Sequence, residues 1–228
     1  MGASYTLVIG TPRYSTWSLR PWLILKSLGV DFETVRITLR QPDTKANIQE
    51  WSPSAKVPLL IHRDPRWGER KIWDSLAIAE YLAEQFPGRG LWPEDAGARA
   101  LARSISAEMH SGFQALRSQC SMDVLAHTPM TDIPEDLAAD IERIETIWED
   151  TRARHGQSGP FLFGRFTIAD AMFAPVTTRF DTYGLGTHPT SKTYCDTILG
   201  TPWMKEWIEI AKDEVPGQPT APARPGGV

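Results

Sequence analysis

Near its start the chain passes from an apolar run, Tyr5-Thr6-Leu7-Val8-Ile9-Gly10, through a hydroxyl-rich stretch, Tyr14-Ser15-Thr16-Trp17-Ser18, into Trp22, Leu23, Leu25 and Leu28 at helical spacing. A short apolar run bounded by turn residues reads as a buried strand, and the spacing that follows reads as a helix. A buried strand feeding a helix calls for a sheet with that helix packed on its face. Pro21 sets the register, because proline is tolerated in the first helical turn, where its missing N–H has no partner to lose. Ser18 is then the expected N-cap, and Ser15 lies just outside the helix, facing the positive end of its dipole. By themselves Ser15, Thr16 and Ser18 read either as turn and cap residues or as donors to a thiolate supplied from elsewhere. A helix N-terminus and a donated hydroxyl hydrogen bond both favour the charged form of a thiol.

Gly29 marks the end of the first helix, and Phe32 to Leu39 alternates as a second strand, parallel to the first across the helical crossover. Gln41 to Ser54 is polar, with a short helix expected around Ala46 to Trp51. Lys56 to Ile61 and Arg70 to Trp73 flank a turn and read as a hairpin, after which Ser75 is the expected N-cap of a helix over Leu76 to Glu84, stopped by Pro87-Gly88. The expected fold is α/β plus all-α. Residues 1–86 form a mixed four-stranded sheet with helices on its faces, and residues 87–93 form a linker rich in glycine and proline. Residues 94–214 form an all-helical domain, with helical spacing over Ala96 to Met122, Pro134 to His155, Thr167 to Tyr183 and Pro202 to Glu214, the third kinked at Pro175. Residues 215–228 carry too little apolar surface to offset their ordering entropy and are expected to be disordered.

With 228 residues and a formal net charge of -4, the chain has no polybasic footprint, so neither nucleic acid nor an anionic membrane surface is expected as a partner. No apolar run is long enough to span a bilayer and the N-terminus lacks the pattern of a signal peptide, which points to the cytoplasm. Cys120 and Cys195 fit neither a disulfide framework nor a zinc site, and the five histidines make no metal-type pair. No metal is expected. The absence of Cys-x-x-Cys, of a Gly-rich phosphate loop and of Gly-x-Ser-x-Gly removes dithiol redox, phosphate-loop and serine-hydrolase chemistry.

In this order the pieces resemble the glutathione transferase superfamily, with a thioredoxin-like N-terminal domain followed by a helical bundle, over roughly Tyr5 to Glu214. Four motifs carry the resemblance: the turn at Ser15 to Arg20, Lys56-Val57-Pro58, Asp74-Ser75, and Gly164-Arg165-Phe166-Thr167-Ile168-Ala169-Asp170. Val57-Pro58 resembles the family's cis-proline turn, whose backbone pairs with glutathione in strand-like fashion. Asp74-Ser75 resembles the acidic-Ser pair holding the γ-glutamyl end: the serine and the helix N-terminus take the carboxylate, and the acid takes the ammonium. Thr167 to Asp170 reads as a capping box with a structural role.

The turn is similar to the serine-type, zeta-like motif Ser-Ser-Cys-Ser-x-Arg. Ser15, Ser18 and Arg20 match it, while Thr16 and Trp17 replace its second serine and its cysteine. The resemblance implies that Ser15 activates the thiol of glutathione, the co-substrate, for attack on a small apolar electrophile. It further implies that Trp17, Ser18, Lys56, Val57, Pro58, Asp74 and Ser75 surround glutathione. Tyr14 and Tyr5 are further activator candidates by residue type, and Arg20 reads either as a source of positive potential or as a solvated side chain. An electrophile pocket between the domains would be lined by Tyr14, His110, Phe113 and Arg117, with Met109, Leu116, Phe173 and Phe180 read as either pocket or core. Of these His110 is the candidate for proton chemistry. The resemblance also implies a homodimer. A glutathione-dependent isomerase, lyase, dehalogenase or peroxidase, or a non-catalytic binding module on the same scaffold, are the alternatives.

Overall fold

The computed structural model describes residues 4–213, so Glu214 and the stretch expected to be a disordered tail lie outside the described residues. The first half contains β1 (Ser4–Gly10), α1 (Thr16–Leu28), β2 (Phe32–Ile37), α2 (Thr44–Gln49), β3 (Leu59–Asp64), β4 (Gly68–Trp73) and α3 (Ser75–Gln85). The four strands make one mixed sheet in the order β2-β1-β3-β4, with β1 and β2 parallel and the other pairs antiparallel. β1 is buried on both faces: Leu7 and Ile9 enter the large core, while Val8 joins Val35, Ile37, Ile48, Leu59 and Ile61 beneath α2. That two-sided burial is why its sequence is continuously apolar rather than alternating.

The second half is helical: α4 (Ala96–Ser111), α5 (Gln114–Gln119), α6 (Glu135–His155), α7 (Ile168–Tyr183), α8 (Pro189–Leu199) and α9 (Pro202–Lys212). Among the described residues its only β contacts are two isolated bridges near Phe161 to Arg165. The halves share one core. Trp22 of α1 meets Trp207 of α9 edge-on at 5.1 Å, and the Trp207 indole N–H donates to the Pro12 carbonyl at 3.0 Å. α7 is buried along nearly its whole length, including Asp170 at its N-terminus. Asp170 accepts at Oδ1 from the Leu162 N–H (3.0 Å) and the Tyr194 hydroxyl (3.1 Å), and at Oδ2 from the Thr167 N–H (2.8 Å) and hydroxyl (2.9 Å).

Several boundaries differ from the sequence expectation. α1 begins at Thr16 with Ser15 at its N-cap, so Ser18 lies inside the first turn and Pro21 beyond it. The helix tolerates the N–H that Pro21 lacks because Leu19, Trp22, Leu23, Ile24 and Leu25 are all buried by it. Asp74, not Ser75, caps α3, because its side chain reaches the backbone N–H groups of Leu76 and Ala77. The helix expected over Ala96 to Met122 breaks at Gly112, where Phe113 takes a left-handed φ of 61° before α5 starts. The hairpin is shifted to β3 and β4 as bounded above, since β3 starts only after the cis Val57-Pro58 bond. α8 lies outside the expected helices, although His188 and Pro189 supply its cap and first residue, whereas α7 spans the expected stretch with Pro175 inside it.

Candidate active site

Four segments converge on a cleft of about 630 Å³. The loop before β3 contributes Ser54, Lys56, Val57 and Pro58, and the β4–α3 junction contributes Trp73, Asp74 and Ser75. Trp17 comes from the first turn of α1 and His110 from the last turn of α4. The volume falls within the range of small-ligand sites, about 300–1,000 Å³.

The β4–α3 junction carries most of the polar chemistry. Asp74 sits at φ 73°, ψ 131°, outside the usual regions for a residue with a side chain. Its Oδ1 accepts from Leu76 N at 2.9 Å and Ala77 N at 3.2 Å, while Oδ2 lies 3.1 Å from His110 Nε2. Ser75, at the first position of α3, is 1% exposed, and its hydroxyl has no partner among the described residues. A buried hydroxyl left unbonded at a helix N-terminus lining a cleft is suited to receive an anion. Lys56 is exposed beside the cis Val57-Pro58 bond, which leads directly into β3.

Ser15 and Ser18 form a linked pair: the Ser15 hydroxyl donates to Ser18 Oγ at 2.7 Å, and Ser18 Oγ also accepts from the Gly10 N–H at 3.0 Å. Both are buried, at 5% and 0% exposure, and neither is part of the cleft lining, which their neighbour Trp17 joins. The Trp17 ring is flanked by the guanidinium carbons of Arg20 at 4.4 Å and Arg117 at 4.9 Å and by the His110 ring at 5.2 Å. The reading of Arg20 as a solvated side chain is corrected, because it is fully buried. Its Nε donates to the Met172 carbonyl at 3.2 Å, whereas Nη1 and Nη2 have no partner among the described residues. Burial, with the charges of Arg117 and Arg179 adding to it, holds its pKa well below the ordinary arginine value, and Asp74 acts against them. Burial likewise lowers Arg117, whose donors go to the carbonyls of Met109, His110 and Gly112.

Of the residues anticipated from sequence, Trp17, Lys56, Val57, Pro58, Asp74, Ser75 and His110 meet in this one cleft. Phe113, Met109, Leu116, Phe173 and Phe180 do not: all five are packed into the core, the last four by their helices and Phe113 by the turn between α4 and α5. Tyr14 lies outside the lining, with its ring under the guanidinium of Arg40 at 4.2 Å, and Tyr5 is buried against His62. Ser54 and the half-exposed Trp73 were not singled out. Only the position of Trp73 directly before Asp74 could have suggested it.

Sequence comparison supplies the decisive observation. The family model described as glutathione S-transferase, N-terminal domain, matches residues 14–85, and that of the C-terminal domain matches residues 105–209. The chain belongs to the glutathione S-transferase superfamily. A rat protein described as glutathione S-transferase omega-2 is 26% identical to this transferase-family chain over 89% of its length and 73% of the relative's. A probable maleylacetoacetate isomerase from Caenorhabditis elegans is 38% identical, over 45% of each chain. A solved glutathione transferase homolog from Burkholderia, with bound glutathione, superposes with a TM-score of 0.68 at 25% identity, covering 92% of this chain and 100% of its own. A maleylacetoacetate isomerase from Anaeromyxobacter dehalogenans shares the fold, with a TM-score of 0.67 at 22% identity over 97% of this chain and 99% of its own. Glutathione is the co-substrate of this family. Among the described residues no cluster of His, Cys, Asp or Glu could hold a metal ion, and no helix is long and apolar enough to cross a membrane.

Proposed function

We propose that this chain is a glutathione transferase in which residues 1–86 bind glutathione and activate its thiol for transfer to a small apolar electrophile. Residues 87–93 act as the linker, and the helical residues 94–214 contribute to the electrophile pocket. The observation that carries the reading is the buried, unpartnered Ser75 hydroxyl beside the Asp74 carboxylate and the cis Val57-Pro58 bond, all on one cleft. An amino acid end group bears both charges that such a pair complements: its carboxylate suits Ser75 and the opening N–H groups of α3, and its ammonium suits Asp74. The backbone of Val57, which precedes the cis bond and lies outside the paired strand β3, is read as the edge that pairs with an extended peptide.

Thiol activation is assigned to Ser15. Ser18 Oγ accepts from Gly10 N–H and keeps a proton of its own, so turning that proton toward Ser15 frees the Ser15 hydroxyl to donate to sulfur. Each bond in such a chain polarises the next, and donation to sulfur favours the thiolate. Arg20 adds positive charge that is not neutralised by a contacting carboxylate, close behind Trp17. The thiolate then forms a bond to the electrophilic carbon as that carbon releases its leaving group or the electron pair of its double bond. We read the protein further as a cytoplasmic homodimer, in keeping with its family.

A second reading, glutathione-dependent isomerisation, is favoured by the likeness to maleylacetoacetate isomerases. Trp17 in place of the motif cysteine weighs against it, because the indole fills space beside the sulfur.

The test is to titrate glutathione into the wild type and Ser15→Ala by calorimetry and to follow the ultraviolet thiolate band against pH. The expected result is similar affinity in both and a higher thiol pKa in the variant. Absence of glutathione binding to the wild type would end the reading.

A further inference from the structure

The proposed glutathione site has one member that belongs to neither the thiol-activating turn nor the peptide-binding loop. His110 is carried by α4 in the helical half, yet its Nε2 lies 3.1 Å from Oδ2 of Asp74 in the other half. A carboxylate offers about four acceptor positions. Two on Asp74 Oδ1 are used by the N–H groups of Leu76 and Ala77, while Oδ2 faces His110 Nε2 at an ion-pair distance of 3.1 Å and keeps acceptor capacity for a ligand. The carboxylate is therefore held at both oxygens before any ligand arrives.

The ring of His110 is itself fixed. It stands edge-on to Trp17 at 5.2 Å, and Nδ1 is buried with no partner among the described residues. With Nδ1 buried and Nε2 turned to the Asp74 carboxylate, the ring is placed to orient that carboxylate. We infer that His110 is a positioning residue that aims the Asp74 carboxylate at the α-ammonium of glutathione, so that recognition of this amine depends on both halves of the chain.

Without the imidazole, the Oδ2 side of Asp74 would be free to swing into solvent, since the side chain is 46% exposed and its backbone lies in a conformation that only the surrounding contacts maintain. Binding of an ammonium would then have to include the ordering of its partner. The effect is specific to ligands that carry the amine, which separates positioning from general support of the fold.

The inference rests on the glutathione reading, and its experiment distinguishes the two. Calorimetry would compare glutathione with its deamino analogue, in which a glutaryl group replaces the γ-glutamyl group, on wild type, His110→Ala and His110→Gln. The wild type is expected to prefer glutathione by about tenfold, the scale of one charge-assisted hydrogen bond. His110→Ala should lose most of that preference through weaker glutathione binding, with the analogue's affinity unchanged, and His110→Gln, whose amide can donate to Oδ2, should recover it. Equal weakening of both ligands in His110→Ala, or a preference that survives the substitution, overturns the positioning role while leaving the glutathione reading intact. If His110→Ala does not fold, His110→Leu, which keeps bulk but cannot donate to Oδ2, takes its place: loss of the preference supports the positioning role and its survival overturns it. If the wild type binds neither ligand, the glutathione reading and this inference fall together.

Discussion

Asp170 allows the sharpest energetic prediction, because all four of its hydrogen bonds are internal and the group is fully buried. Asp170→Ala removes the acceptor from two backbone N–H groups, those of Leu162 and Thr167, and from the hydroxyls of Thr167 and Tyr194. A buried donor left without a partner costs about 1–3 kcal/mol, so the two backbone groups alone lose about 2–6 kcal/mol. Against a typical net stability of about 5–15 kcal/mol, that is enough to leave much of the population unfolded. Asp170→Asn should be milder but far from silent. Its one amide oxygen can serve either the Leu162 or the Thr167 N–H, while its NH₂ confronts the other, and the charge assistance is lost, for about 2–4 kcal/mol. Urea unfolding followed by tryptophan fluorescence reads the difference directly, since Trp148 lies 4.8 Å from the Tyr194 ring. An alanine variant within about 1 kcal/mol of wild type would refute the claim that these donors depend on the carboxylate.

The same residue predicts a pH dependence: burial pushes the Asp170 carboxyl up to about 6, although its four hydrogen bonds pull the other way. The folded chain therefore holds this proton more tightly than the unfolded chain, so the contribution is full below about pH 4 and is lost as pH rises through about 6, for about 3 kcal/mol in all. The difference in unfolding free energy between wild type and Asp170→Asn should follow that slope, and identical pH profiles would refute it. Ser75→Ala should weaken glutathione binding about tenfold while moving stability by less than about 0.5 kcal/mol, because the hydroxyl has no internal partner to lose. Arg20→Met should leave stability within about 1 kcal/mol of wild type or raise it, since it removes a buried guanidinium with two unpartnered nitrogens and keeps an unbranched chain. The same variant should raise the pKa of bound glutathione, read from the thiolate band; a loss above about 3 kcal/mol would show the guanidinium to be net stabilising.

Much of the architecture was legible because local chemistry and tertiary packing agree. Gly29 ends α1 with a φ of 66°, and the apolar runs of β1 and β3 are buried where a sheet requires them. The Asp74-Ser75 pair is legible through its resemblance to the family's acidic-Ser pair, whereas the residue that caps the helix is Asp74 and not the expected Ser75. Aspartate reaches the second and third N–H groups of α3 and so releases Ser75 toward the cleft. Arg20 was illegible for the opposite reason. A cation in an early helical turn ordinarily faces water, but here tertiary packing buries it, with its Nε on the Met172 carbonyl of α7 and the Trp17 ring against its guanidinium. The break at Phe113 was hidden as well, because apolar spacing continues through it and Gly112 alone marks the change.

The shared core between the halves bears on how this chain could be recombined with others. Trp22 against Trp207, the Trp207 indole on Pro12, and Arg20 on Met172 each join one residue from either side. A chimera that grafts the helical half of another superfamily member onto the first half of this chain has to refill the contact of Trp207 on Trp22 and supply an acceptor for the buried Arg20 guanidinium. The two halves are thus one packing unit, and sequence change at the shared seam has to be matched on both sides, while surface loops and exposed side chains of the helical half can vary alone.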